Sequence, residues 1–203
     1  MSMINRATSV GAAFALFVLF AMPGVVRADV SEVLYAAYGK MLDSKFSTTA
    51  VTTDAKGKQT RATTEFESIE RMRIITDTGG FIVLPEGIWM RGSADEQWTK
   101  PPFDVGGMFK QLLPRSLSEL RAQAKNVRDE GQRTIDGRSL RAISYDVDTR
   151  IMGISVSSST TTYIDAEGRI ARNESTGTAM GRKSTTVQNV SYDDSIRVAA
   201  PDA

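Results

Sequence analysis

The sequence predicts an α+β fold: a large curved antiparallel sheet, a half-barrel of about ten or eleven strands, covered on its concave face by an N-terminal helix and a central helical pair. Three observations carry this expectation. Alternating runs rich in β-branched residues, separated by turn residues, occupy most of the chain. Helical periodicity occurs in only two places, at the start of the polar chain and at its middle. The links between strand runs are short, so the order is a meander, and a strongly twisted sheet of that many strands curls.

A leader precedes the domain. Arg6 supplies a positive start, Ala12 to Val26 is almost wholly apolar, Pro23 and Gly24 break any helix, and Val26-Arg27-Ala28 gives a cleavage site before polarity rises at Asp29. A cleaved signal peptide over residues 1–28 and a single domain over 29–203 are expected, with a periplasmic or secreted location. The chain has no cysteine, so no disulfide framework holds the domain and no lipobox cysteine follows the leader. Without the leader, 23 basic side chains face 24 acidic ones. No basic block marks a polyanion partner, and no nucleic acid is expected.

Asp29 to Asp43 predicts an amphipathic helix with Val30, Val33, Leu34, Ala37, Met41 and Leu42 on one face, and Asp29 with Glu32 resembles a capping box. From Lys45 the period changes to two. Phe46–Thr53 and Gln59–Ser68 flank Asp54-Ala55-Lys56-Gly57-Lys58, where Gly57 supplies a positive φ. Arg71–Thr76 follows, then Phe81–Leu84 and Ile88–Arg91 around Pro85-Glu86-Gly87, and a short Gln97–Thr99 strand. Pro101 and Pro102 end this run. Asp104 caps a short helix with Met108, Phe109, Leu112 and Leu113 in one stripe, and Ser116 with Glu119 opens a second helix through about Ala124.

Strand patterns resume at Val127–Thr134 and Leu140–Val147 around Asp136-Gly137. The segment 148–158 is ambiguous between a strand extension and a flap. Ser159–Ile164 and Arg169–Thr176 flank Asp165-Ala166-Glu167-Gly168, Arg182–Tyr192 is the last long strand, and Ser195–Val198 suits a short edge.

Three stretches resemble the bacterial lipoprotein-carrier (LolA-like) superfamily, which includes the related mycobacterial lipid-binding lipoproteins. Glu70-Arg71-Met72-Arg73-Ile74-Ile75 is similar to that family's arginine-containing strand. Gly87-Ile88-Trp89-Met90-Arg91 with Glu96-Gln97-Trp98-Thr99-Lys100 resembles its strand pair ending in Trp-x-Lys. Thr162 to Arg172, with Ser191-Tyr192-Asp193 and Pro201, is similar to its late hairpin and closing strand. The resemblance implies a protein that holds acyl chains, or a lipidated partner, between the sheet and its helical cover, with no reaction. It also implies a cavity arginine at Arg71 or Arg73, although strand alternation sets both opposite Met72.

The residues themselves argue against catalysis. The chain has no histidine, which excludes Ser–His and Cys–His nucleophiles and histidine-ligated metals. Asp165 with Glu167, and Asp193 with Asp194, are paired carboxylates in turn-like sequence, where acids serve turns and solubility. Asp146, Asp148 and Asp165 lack any calcium-loop spacing. The expectation is therefore a non-enzymatic carrier with no cofactor and no metal. Its cavity would be lined by Met72, Ile74, Phe81, Ile88, Met90, Trp98, Met108, Phe109, Leu112 and Met152, four of them methionines that adapt to flexible chains. The Gly-rich start at Asp104 to Met108 would hinge a lid. Expected partners are a lipid or acylated protein, with an inner- or outer-membrane envelope protein loading or receiving it, and the carrier is expected to be a monomer. The alternative is a non-enzymatic envelope sensor that binds a protein partner through the same fold.

Overall fold

The computed structural model describes residues 29–101, 117–151 and 154–201. The predicted leader and the predicted helix at 104–113 lie outside these residues. The chain begins with helix α1 (Val30–Leu42), continues through β1 (Phe46–Asp54), β2 (Gln59–Ser68), β3 (Arg71–Thr76), β4 (Gly79–Leu84) and β5 (Gly87–Arg91), and resumes at helix α2 (Leu117–Gln123). Strands β6 (Ala124–Ile135), β7 (Arg138–Ile151), β8 (Ile154–Ile164), β9 (Ile170–Ala179) and β10 (Arg182–Tyr192) complete it. All ten strands form one antiparallel sheet in the order β5-β4-β3-β2-β1-β10-β9-β8-β7-β6. The two meanders therefore join at the middle, where Phe46 pairs with Tyr192 and Asp54 with Ser184, and the sheet stays open with β5 and β6 as its edges.

Helix α1 forms where its apolar positions fall on one face. Leu34, Tyr35, Ala37 and Met41 are buried, with Val30, Val33 and Tyr38 beside them. Asp29 caps it by accepting the Ser31 N–H at 3.0 Å, a contact worth ~1 kcal/mol. The expected capping box is replaced: Glu32 reaches Arg121 of α2 in a two-armed pair at 3.0 and 2.8 Å, so its carboxylate joins the helices instead of the helix start.

The helix packs into one core with Phe46, Phe66, Met72, Ile143, Tyr145, Ile164, Ile170 and Val190. These residues come from strands as far apart as β3 and β7, six spacings or roughly 28 Å across a flat sheet. A helix is only about 10–12 Å wide with its side chains. One contiguous core therefore requires the sheet to curve around α1, as the curled-sheet expectation held.

Elsewhere the structure decides one open reading and departs from the sequence reading in two places. Of the two readings of 148–158, the described residues bear out the strand extension: β7 runs to Ile151 and β8 starts at Ile154, and these two residues are paired. The expected strand at Gln97–Thr99 shrinks to one bridge between Met90 and Thr99. The expected edge strand at Ser195–Val198 is a tail laid on the sheet's other face. The Val198 N–H there goes to the Glu67 carboxylate at 2.9 Å rather than to a strand ladder. At Asp136-Gly137 the turn forms as the sequence proposed, with φ of 50° and 76°, the left-handed pair that a tight hairpin needs.

Candidate functional site

Residues directly opposite in neighbouring strands share a face, so the ladder register sorts every side chain. One row on the helix side runs Phe46–Phe66–Met72–Val83–Ile88. The next runs Val190–Thr48–Thr64–Ile74–Phe81–Met90. A third runs Ala50–Gln188–Asn173–Thr162–Ile143 across the other meander.

The first two rows change character along their length. Near the sheet's centre they are sealed: Phe46 and Phe66 stack with ring centroids 4.6 Å apart, and Met72 is fully buried. Toward β5 they are not. Ile74, Phe81, Val83, Ile88 and Met90 are all apolar and all only half-buried. A strip of apolar side chains thus continues past the helix-covered core toward the edge strand. Beside Met90 a cleft of about 450 Å³ opens, bounded also by Arg91, Gly92, Glu96, Gln97, Thr99 and Pro101.

Thr48 stands in the second row, buried, with its Oγ1 lacking any hydrogen-bond partner among the described residues. A buried hydroxyl without a partner is costly, and such groups are rare in folded proteins. The third row is polar and satisfied by comparison. Thr162 Oγ1 donates to Asn173 Oδ1 at 2.7 Å, and the Asn173 amide donates to Gln188 at 3.1 Å. Beyond it the Tyr38 and Tyr145 hydroxyls meet at 3.1 Å. Burial, and then the neighbouring Tyr145, hold the Tyr38 phenol well above its ordinary range, so it stays a neutral hydrogen-bonding group.

Of the ten residues expected at the cavity, the structure gathers Met72, Ile74, Phe81, Ile88 and Met90 on the helix-facing side of β3, β4 and β5. Met108, Phe109, Leu112 and Met152 lie outside the described residues. Trp98 sits on the opposite face. It packs with Ile82, Leu84, Trp89, Ile196 and Val198 in a small second cluster. Gly80 admits it: a Cβ there would stand 2.9 Å from the indole Cη2. Arg91 lies over the Trp98 ring at 4.6 Å and Lys100 over Trp89 at 4.5 Å. Alternation between Trp89 and Met90 is thereby resolved, with Met90 toward the helix side and Trp89 away from it.

Arg71 and Arg73 also belong to the outer face. Arg73 pairs with Glu65 at 3.1 Å, and Arg71 donates to the Val198 carbonyl at 3.4 Å. The same face holds Glu67, whose carboxyl is pulled below its ordinary range chiefly by the Val198 N–H and then by Lys45 at 3.0 Å. Sequence reasoning missed two members of the helix-facing surface. Val83 carried the same period-two signal as Phe81 and was recoverable from it. Thr48 carried no signal, because only the folded ladder shows that its hydroxyl is unmatched.

Among the carboxylates that the sequence singled out, Asp165 and Asp146 are engaged with neighbouring groups. Asp165 is committed to its turn and to Arg169, accepting the Arg169 N–H at 2.7 Å and its Nε at 3.2 Å. Asp146 is held below its ordinary range first by Asn126 and then by Ser159. Among the described residues no group of three or more Asp, Glu, His or Cys could hold a metal ion, and no helix is long and apolar enough to cross a membrane.

No family model matches the chain, and no curated protein matches it either. Solved structures do. LprF from Mycobacterium bovis is 13% identical, with a TM-score of 0.52 over 86% of this chain and 97% of that one. The lipoprotein LppX from Mycobacterium tuberculosis is 10% identical, with a TM-score of 0.56 over 84% of this chain and 98% of that one. At such identities the likeness is one of fold. The chain shares the fold of these two mycobacterial proteins, which belong to the group that the sequence resemblance named.

Proposed function

We propose that this LolA-like chain is a non-enzymatic binding protein that carries a lipid, or the acyl chains of a lipidated protein, on the helix-facing side of β3–β5. The observation that carries the reading is the half-open apolar strip of Ile74, Phe81, Val83, Ile88 and Met90, which continues the core rows beyond what α1 seals. A flexible acyl chain gains about 0.8 kcal/mol for each methylene it buries there. Thr48 adds to the argument. Its unmatched hydroxyl lies in the same row and suits a carbonyl or hydroxyl of the ligand.

In this reading the leader 1–28 directs export and is removed, and residues 29–203 act in the periplasm or outside the cell as one domain. Met108, Phe109, Leu112 and Met152 would complete the lining. Arg71 and Arg73, held by Glu65 and the C-terminal tail, take no part in it. The test is to purify the exported chain under native conditions and extract it for lipid mass spectrometry. Co-purified acyl lipid in stoichiometric amount is expected. A clean protein that also fails to take up a fluorescent fatty acid would overturn the reading.

A further inference from the structure

We infer that the end of the sheet formed by the β1–β2 and β9–β10 hairpins, with the adjoining described ends of β7 and β8, is a docking surface for an anionic lipid bilayer. The register brings these hairpins together. Asp54 lies opposite Ser184, Ala179 opposite both Arg182 and Val156, and Ile151 opposite Ile154. The β1–β2 and β9–β10 turns and the described ends of β7 and β8 therefore stand side by side along the central run of strands. They also project. Pairing of β2 with β3 stops at Ala62–Thr76, and pairing of β6 with β7 starts only at Ala124–Val147. The hairpins extend past both limits by roughly 10 Å at the usual rise per residue.

Five cations gather on this lip: Lys56 and Lys58, Arg150, and Arg182 with Lys183, all exposed. None makes an ion pair among the described residues. The acids nearby are occupied. Asp54 accepts the Lys56 and Lys58 N–H groups at 2.8 and 2.9 Å, and Asp148 pairs with Lys125 at 3.3 Å. Met180 stands at the tip of the β9–β10 hairpin with 75% of its surface exposed.

The opposite end of the sheet is built the other way. Its turns carry Asp43, Glu70, Glu86, Asp136, Asp165, Glu167, Asp193 and Asp194, and bases there are engaged, as in Lys45–Glu67 and Arg169–Asp165. The protruding lip and the turns at the opposite end thus differ in charge, which favours one orientation in the field of a charged surface. A bilayer of anionic lipid uses both parts of the lip. Its phosphates take the unpaired cations, and its interface takes the exposed thioether. An acidic protein or a nucleic acid would use the cations and leave Met180 in water.

Vesicle flotation tests this with the exported protein, its processed N-terminus confirmed by intact mass. Vesicles of about one third phosphatidylglycerol are compared with pure phosphatidylcholine at low salt. The protein is expected to float with the anionic vesicles only, and to be released as salt rises from about 0.05 to about 0.5 M. The variant Lys56→Gln/Lys58→Gln/Arg182→Gln/Lys183→Gln should bind at least roughly tenfold more weakly, with unchanged circular dichroism, and Met180→Ser a few-fold more weakly. Equal flotation with both vesicle types, or undiminished binding by the fourfold variant, would overturn the inference. Competition by polyglutamate as effective as by vesicles would reassign the lip to an acidic protein. These outcomes are independent of whether lipid co-purifies, so the carrier reading stands or falls separately.

Discussion

Two regions of the same sheet face are made of similar residues and finished differently. Under α1, the side chains of Leu34, Met72, Ile143 and Ile170 are entirely buried, with partly buried apolar residues such as Val30 and Val33 at the margin. Along β3–β5, Ile74, Phe81, Val83, Ile88 and Met90 continue the same rows and stay half-open. The first region explains why the domain folds without a disulfide. The second stays partly exposed, and it is there that the proposed function places the ligand.

The comparison can be broken by unequal mutational costs. Ile143→Ala or Leu34→Ala, in the sealed region, is expected to cost about 2–5 kcal/mol, read by denaturant unfolding. Thr162→Val should cost about 1–3 kcal/mol by the same measurement, because it leaves the buried Asn173 Oδ1 without its donor. Met90→Ala should cost no more than about 1 kcal/mol, since a half-buried side chain forfeits only part of its transfer energy, yet it should weaken fatty-acid binding several-fold. Thr48→Val reverses the sign: removing an unmatched hydroxyl at constant shape should stabilise the ligand-free protein by ~1 kcal/mol.

The outer face supplies a pH-dependent control. Glu67 is depressed in the folded state, so its contribution is present above the unfolded carboxylate range and is lost as pH falls through the lower folded value. Acidification should loosen the tail around Val198, seen as a change in the fluorescence of Trp89 and Trp98. Glu67→Gln should remove that acid step and leave binding at β3–β5 intact.

Much of this was legible because local chemistry agreed with the fold. The bounds of β2, β3 and β10 follow directly from alternation between turn residues, and Asp29 marks the start of α1. Three things were hidden for physical reasons. Trp98 looked like a cavity residue by composition, but its face is set by Gly80 across the strand pair, which periodicity does not reveal. Ser195–Val198 has a strand's composition, yet a carboxylate from distant Glu67 captures its backbone. The basic lip escaped because its charges lie in three segments far apart in sequence, where no run of like charge exists to be noticed. Only the strand order β2-β1-β10-β9-β8-β7 brings them together.

The central claim is that acyl chains lie along β3–β5 on the helix side, and a photoactivatable fatty acid tests it most directly. After irradiation and digestion, adducts read by mass spectrometry should fall on Ile74, Phe81, Ile88 and Met90, and excess unlabelled fatty acid should suppress them. Adducts confined to the outer cluster of Trp89 and Trp98, or labelling that no competitor suppresses, would contradict the account.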